Sequence, residues 1–169
     1  MLTVVIETRN DEEALARTLA SLVGGSVQGV VREVVVHDLG STDHTAMVAD
    51  HAGCHMVASG ELPAGLMRAK GDWLLLLEPG ARLVDGWTES VLHHMSGATT
   101  PARFARSHIG RAPFLARLFS RRRPLQEGLL ITKRQAVSLL RGGGELAAIG
   151  RSVASRRIEA EIIPSPKRR

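Results

Sequence analysis

The sequence predicts one α/β domain: a mostly parallel sheet covered by helices on both faces. Three observations predict it. Short apolar, β-branched runs alternate along the chain with segments of helical spacing. The run Val34-Val35-Val36-His37 ends in Asp38, and the turn Gly40-Ser41-Thr42-Asp43 leads on into a helix. The run Trp73 to Leu77 is apolar throughout, as a strand buried on both faces must be.

Taken in order, Leu2 to Glu7 reads as a buried strand. Asn10 is a candidate N-cap, with acids at 11, 12 and 13 in the first turn. Ala14, Leu15, Leu19 and Leu22 then recur at helical spacing until Gly24-Gly25, which predicts a stop. Val30 to His37 is a second strand, and Thr42 to His51 a helix capped by Ser41, Thr42 or Asp43 and closed by Gly53. Cys54 to Ala58 is a short strand, Pro63 to Lys70 a short helix, and Trp73 to Leu77 the fourth strand. Glu78-Pro79-Gly80 has the residues of a type II turn. Asp85 to Met95 reads as helix, and weak strand signals lie near Thr99. A helix is predicted around 113–120, a strand over Leu129 to Thr132, and a helix over Arg134 to Leu140 stopped by Gly142-Gly143-Gly144. A helix over Ile149 to Arg157 and a strand over Ile158 to Ile163 complete the domain, 1–163, before a basic tail, 164–169. Met56, Met67 and Met95 read as core residues.

Composition bounds the function. With 169 residues and 44% hydrophobic content, the chain can bury roughly 70% of its unfolded surface. Its one cysteine, Cys54, forms no internal disulfide, so a reducing compartment and a cytoplasmic location are expected. The chain opens on a strand pattern, so no signal peptide is expected. A net charge of +5, with arginines crowded between 103 and 123, suits an anionic partner. Aromatics make up only 3% and Tyr is absent, which disfavours stacking on single-stranded nucleic acid. An Arg-rich segment interleaved with Phe104, Phe114 and Phe119 suggests peripheral contact of 103–123 with an anionic membrane; a solvated helix packed on the sheet explains it more cheaply. The seven histidines show no spacing that demands a metal.

The turn after the second strand places Asp38 and nearby backbone N–H groups at the carboxyl edge of the sheet, where open α/β sheets bind ligands. Asp38 can cap the next helix or touch a ligand. Glu78, before Pro-Gly, reads as a turn acid first and a lone metal ligand second.

Together these motifs resemble the family 2 glycosyltransferases, in particular short bacterial members found beside radical-SAM proteins. Glu7-Thr8-Arg9-Asn10-Asp11-Glu12 stands where that family carries a Pro-Thr-Tyr-Asn-Glu-Glu type motif, and Asp38 to Asp43 where it carries Asp-x-Gly-Ser-Thr-Asp. Ala69 to Leu77, Gly86-Trp87 and Gly128 to Arg134 match later segments. The resemblance implies a GT-A, Rossmann-like fold and a nucleotide or nucleotide-sugar held by Thr8, Arg9, Asn10, Glu12, Asp38, Gly40 and Ser41.

The departures fall on the chemistry. The family's Asp-x-Asp, which holds a divalent cation (Mn²⁺ or Mg²⁺) on the sugar diphosphate, is Glu78-Pro79-Gly80 here, so metal is disfavoured. The acid pair supplying the base for the acceptor falls near Gly150-Arg151, where both acids are gone. The stretch between Val57 and Gly65 is shortened, removing a basic phosphate contact. A general base is worth about 10²–10⁴ in rate, so the loss is serious. Arg82 and Arg151 are candidates to neutralise a diphosphate without metal, with Glu127 or Glu145 as base. The alternative is a non-catalytic relative that senses a nucleotide or binds a partner. A methyltransferase reading of Asp38-Leu39-Gly40-Ser41 fails because Thr42 and Asp43 replace the further glycines that loop needs. No P-loop or dinucleotide fingerprint occurs.

Overall fold

A computed structural model describes residues 1–109, 123–140 and 145–166. The predicted helix around 113–120, the Gly142–Gly144 stop and the last three tail residues lie outside the described residues. Eight strands are described: β1 (Leu2–Thr8), β2 (Val31–Asp38), β3 (His55–Ala58), β4 (Trp73–Leu77), β5 (Arg82–Leu83), β6 (Ala102–Arg106), β7 (Leu129–Thr132) and β8 (Arg156–Ile163). The described helices are α1 (Glu12–Val27), α2 (Thr45–His51), α3 (Leu62–Arg68), α4 (Trp87–Gly97), α5 (Lys133–Leu140) and α6 (Leu146–Ser152).

The strands form one sheet in the order β3-β2-β1-β4-β7-β6-β8-β5. β1, β2, β3 and β4 run parallel, as do β6 and β8, while β7 and β5 pair antiparallel to their neighbours. Alternation along each strand builds two cores. Val4, Ile6, Val36, Leu75 and Leu77 face one way, toward Leu15 and Leu22 of α1, Ala49 of α2, and Trp87 and Val91 of α4. Val5, Val35, Leu74, Leu76 and Ile131 face the other, toward Leu62 and Leu66 of α3, Ala136 of α5 and Ile149 of α6. Helices therefore cover both faces, as the sequence predicts.

Several local expectations are corrected. α1 continues through Gly24-Gly25 to Val27, because Gly25 is buried against Trp87 and the helix needs a residue without a side chain there. Asn10 does not cap α1: it adopts a positive φ of 54°, and Asp11 is the capping position, without a side-chain cap bond. The expected helix over Ile149 to Arg157 ends at Ser152, and Arg156 and Arg157 already belong to β8 beside β6. The strand sought near Thr99 lies at Ala102–Arg106. Met56 and Met67 are exposed; Met95 packs on the core.

The type II turn after β4 forms as read. The Ala81 N–H donates to the Glu78 carbonyl at 3.1 Å, and Gly80 takes φ 90°, where a side chain is strained.

Candidate functional site

Parallel register sets Thr8 at the end of β1 opposite Asp38 at the end of β2. The Thr8 hydroxyl donates to Asp38 Oδ1 at 3.4 Å. The Leu39 N–H donates to the Thr8 carbonyl at 2.9 Å, extending the pairing into the loop. Asp38 also accepts the Ser41 N–H at 3.1 Å and the Ser41 hydroxyl. It thus braces its own turn while standing at the sheet edge.

The loops after β1 and β2 are laced together. The Asn10 N–H donates to Ser41 Oγ at 2.9 Å, and Asn10 Oδ1 accepts the Thr42 N–H at 2.8 Å. The Asp11 N–H donates to Thr45 Oγ1 at 2.9 Å, and Glu12 Oε2 accepts the His44 N–H at 3.0 Å. Asp43 joins two helix starts: its carboxylate accepts the N–H of Thr45 at 3.0 Å and of Glu12 at 3.3 Å. Hydrogen bonds from Thr45 hold the Asp43 carboxyl below its ordinary range. The N–H groups of Leu39, Ser41, Thr42 and His44, expected to await an anion, are therefore already used within the protein. The expected cap at Ser41, Thr42 or Asp43 is corrected: α2 starts at Thr45, its capping position is His44 without a side-chain cap bond, and Asp43 stands one residue before it.

A cleft of about 340 Å³ opens at this edge, within the range of small-ligand sites, about 300–1,000 Å³. Thr8, Arg9 and Leu39 line one part of it, Glu78, Pro79 and Arg123 another, with Glu7, Asp11, Arg17, Ser165 and Pro166 around them. A larger cavity between α4 and β8, about 550 Å³, is lined by none of these residues.

Of the predicted nucleotide-binding residues, Thr8 and Arg9 line the cleft and Asp38 lies bonded to Thr8. Asn10, Glu12, Gly40 and Ser41 belong to the laced loops and do not line it. Glu78 lines it; Arg82, exposed on β5, and Arg151, exposed in α6, do not. The base candidates also lie outside. Glu145 is exposed at the start of α6. Glu127 is held by Arg106 at 3.0 Å and by Arg157 at 3.6 Å.

The cation that does stand at Glu78 is Arg123. Its Nη1 lies 3.2 Å from Glu78 Oε2, a buried oxygen that otherwise has no hydrogen-bond partner. Burial pushes the Glu78 carboxyl above its ordinary range, against the opposing pull of Arg123, the Leu125 N–H and Arg106. Arg123 also donates to the Ser165 carbonyl, drawing the end of the chain onto the turn. Ser165 Oγ lies 2.7 Å from where a Cβ on Gly80 would stand.

These residues do not fit a divalent cation. The turn offers one carboxylate, it is already paired with a guanidinium, and among the described residues no three His, Cys, Asp or Glu side chains are placed to hold a metal ion. Sequence reasoning missed Arg123, which sits in an arginine run far along the chain. It also missed Glu7, whose carboxylate meets the buried His37 at 3.0 Å. The signal for Glu7 was its place in the first motif, where the family carries proline.

The basic segment is partly structural. Arg103 donates to the carbonyls of Pro124 at 2.7 Å and Gly150 at 2.6 Å and to Ser155 Oγ at 3.0 Å, and Phe104 is fully buried. Neither offers itself to a membrane; Phe114, Phe119 and the arginines between 111 and 122 lie outside the described residues. No described helix is long and apolar enough to cross a membrane.

No protein-family model matches the chain. A TPR repeat-containing protein of Synechococcus elongatus is 32% identical over 126 residues, 68% of this chain. The chain spans 30% of the length of that relative. Among solved structures, glucosyl-3-phosphoglycerate synthase from Mycobacterium tuberculosis, in complex with Mn²⁺, UDP and glucosyl-3-phosphoglycerate, superposes with a TM-score of 0.62 at 16% identity, over 100% of this chain and 72% of that one. The same enzyme with UDP gives 0.62 at 17% identity, over 100% and 73%. With Mn²⁺, UDP-glucose and phosphoglyceric acid it gives 0.62 at 19%, over 100% and 72%. The chain shares the GT-A glycosyltransferase fold of these structures.

Proposed function

We propose that the protein binds a nucleotide or nucleotide-sugar in the cleft between Thr8 and Glu78. The observation that carries the reading is the Thr8–Asp38 pair at the carboxyl edge of β1 and β2, beside a cleft of about 340 Å³. In α/β sheets ligands bind at this edge. The likeness to structures holding UDP and UDP-glucose supports it by fold alone. Thr8, positioned by Asp38 behind it, meets the nucleoside end, Arg9 and Leu39 flank it, and the Glu78 side receives the phosphates. Membership among short family 2 glycosyltransferases, including those found beside radical-SAM proteins, belongs to the same proposal. The lone Cys54 fits a reducing, cytoplasmic setting.

Transfer, where it occurs, is attack of an acceptor hydroxyl on the anomeric carbon, breaking its bond to the diphosphate oxygen. The hydroxyl proton passes to a base, and the nucleoside diphosphate leaves. Glu127, bound by two guanidinium groups and outside the cleft lining, is poorly placed for that base. The second reading is a nucleotide-binding relative without turnover.

Calorimetry with UDP, GDP and their sugars, with and without Mn²⁺, tests binding. One base is expected to bind, and Thr8→Val with Asp38→Asn to weaken it. Absence of binding by every nucleotide overturns the proposal. Release of nucleoside diphosphate from a bound nucleotide-sugar separates transferase from non-catalytic relative.

A further inference from the structure

We propose that Arg123 is the fixed cation of the diphosphate subsite, doing by a guanidinium what a divalent metal does in a two-carboxylate site, with Glu78 as its counter-ion instead of a metal ligand. The inference rests on the nucleotide reading of the cleft and names what meets the phosphates there.

Four observations carry it. Arg123 lines the same cleft as Thr8 and Arg9. Its Nη1 stands 3.2 Å from Glu78 Oε2, so the turn's one carboxylate is already paired with a cation. The turn offers no second carboxylate, since Pro79 and Gly80 follow Glu78. Among the described residues no three acid, His or Cys side chains are arranged around a cation.

The chemistry is suited to a diphosphate. A guanidinium remains charged at any working pH and presents a planar fork of donors that matches phosphate oxygens two at a time. The Arg123 side chain is 36% exposed, against 17% for Glu78, so the guanidinium and not the carboxylate is the more available to a ligand. Its second nitrogen is occupied by the Ser165 carbonyl, a neutral acceptor that a charged phosphate oxygen outcompetes. Phosphate binding therefore exchanges Ser165 for the ligand and leaves Glu78 beside the cation. The carboxylate then repels the incoming charge, so removing it strengthens binding. A metal ligand behaves in the opposite way.

The experiment compares a nucleoside with its diphosphate (uridine with UDP, guanosine with GDP) by calorimetry in EDTA, using wild type, Arg123→Gln and Glu78→Gln. Thermal melts identify any variant that fails to fold. Wild type is expected to bind the diphosphate roughly tenfold or more tightly than the nucleoside without metal, the worth of one charge-assisted contact. Arg123→Gln is expected to erase that advantage and keep nucleoside affinity, while Glu78→Gln raises diphosphate affinity several-fold. A diphosphate advantage that survives Arg123→Gln, or that arises only with Mn²⁺ and is lost in Glu78→Gln, overturns the assignment of Arg123 while leaving the nucleotide reading standing. Failure of both nucleoside and diphosphate to bind wild type overturns the nucleotide reading, and this inference with it.

Discussion

The indole of Trp87 occupies the space that a side chain on Gly25 would need. A Cβ at residue 25 would stand 2.5 Å from Trp87 Cζ2 and 3.1 Å from Val31 Cγ2, whereas one at Gly24 would meet nothing within 4 Å. The two neighbouring glycines therefore respond oppositely to alanine. Gly24→Ala gains helix propensity and is expected to stabilise by about 0.5–1 kcal/mol. Gly25→Ala gains the same propensity but overpacks a buried indole, at about 1–3 kcal/mol. Its net effect is expected to be destabilising. Urea unfolding of both variants checks the pair; equal stabilisation would show that Trp87 yields freely.

That contact also explains why some of the fold was legible in the sequence and some was not. β4 announces itself because a strand covered on both faces must be apolar nearly throughout, and the apolar runs inside β1, β2 and β7 (Val4-Val5-Ile6, Val34-Val35-Val36 and Leu129-Leu130-Ile131) are read in the same way. The Glu78-Pro79-Gly80 turn was legible because its two central residues carry their own backbone preferences. Gly24-Gly25 misled because helix propensity is local, while the reason for a glycine at 25 lies at Trp87. β6 was hidden because Arg103 and Arg106 read as solvated charge, and their acceptors at Pro124, Gly150 and Glu127 are remote in sequence. The same holds for the cleft. Thr8 and Asp38 end adjacent strands and could be paired in advance. Arg123 meets Glu78 only through the folded chain, and no spacing rule connects them.

Arg103 ties three segments together, bonding Pro124, Gly150 and Ser155 from β6. Burial pulls its pKa down, opposed by the nearby charge of Glu127, and its donors are given to carbonyls. Replacing it with Met fills the volume and strands the carbonyls of Pro124 and Gly150, while the exposed Ser155 turns to water. At about 1–3 kcal/mol for each buried group left unsatisfied, Arg103→Met is expected to destabilise by roughly 3 kcal/mol. Lysine, which lacks the planar fork, should recover only part of this. Denaturant midpoints of the two variants measure it, and a neutral Arg103→Met would show that these bonds contribute nothing net.

Cys54 is half-buried, and burial pushes its thiol up to about 11. Only the thiolate attacks alkylating reagents. At pH 8 about one thiol in a thousand is ionised by that value. Iodoacetamide is therefore expected to label the native protein slowly, with the rate climbing about tenfold per pH unit up to pH 10, and to label it rapidly in urea. Mass spectrometry of timed samples reads the result. Prompt native labelling at pH 8 would place the thiol in a polar, ionising setting that its burial does not provide.

Glu78 gives stability a pH dependence whose sign is fixed by its burial. Its folded pKa lies above the ordinary value of 4.5, because desolvation outweighs Arg123, Arg106 and the Leu125 N–H. The folded protein therefore holds this proton more tightly than the unfolded chain does. Between 4.5 and the elevated folded value the native state carries more protons, so stability falls as pH rises through that window. Below it both states are protonated and above it both are ionised, and this contribution is flat. Asp43 acts in the opposite sense at lower pH: its depressed carboxyl adds stability that is lost as pH falls through the folded value. Comparing wild type with Glu78→Gln cancels Asp43 and every other group that the substitution leaves alone. Glutamine cannot ionise, so wild type is expected to lose ground to Glu78→Gln as pH rises above 4.5, with the gap constant once the carboxyl is fully ionised. Urea midpoints taken at half-unit pH steps trace the difference. Two parallel curves would mean that Glu78 ionises as readily in the folded cleft as in water, and that Arg123 fully compensates its burial.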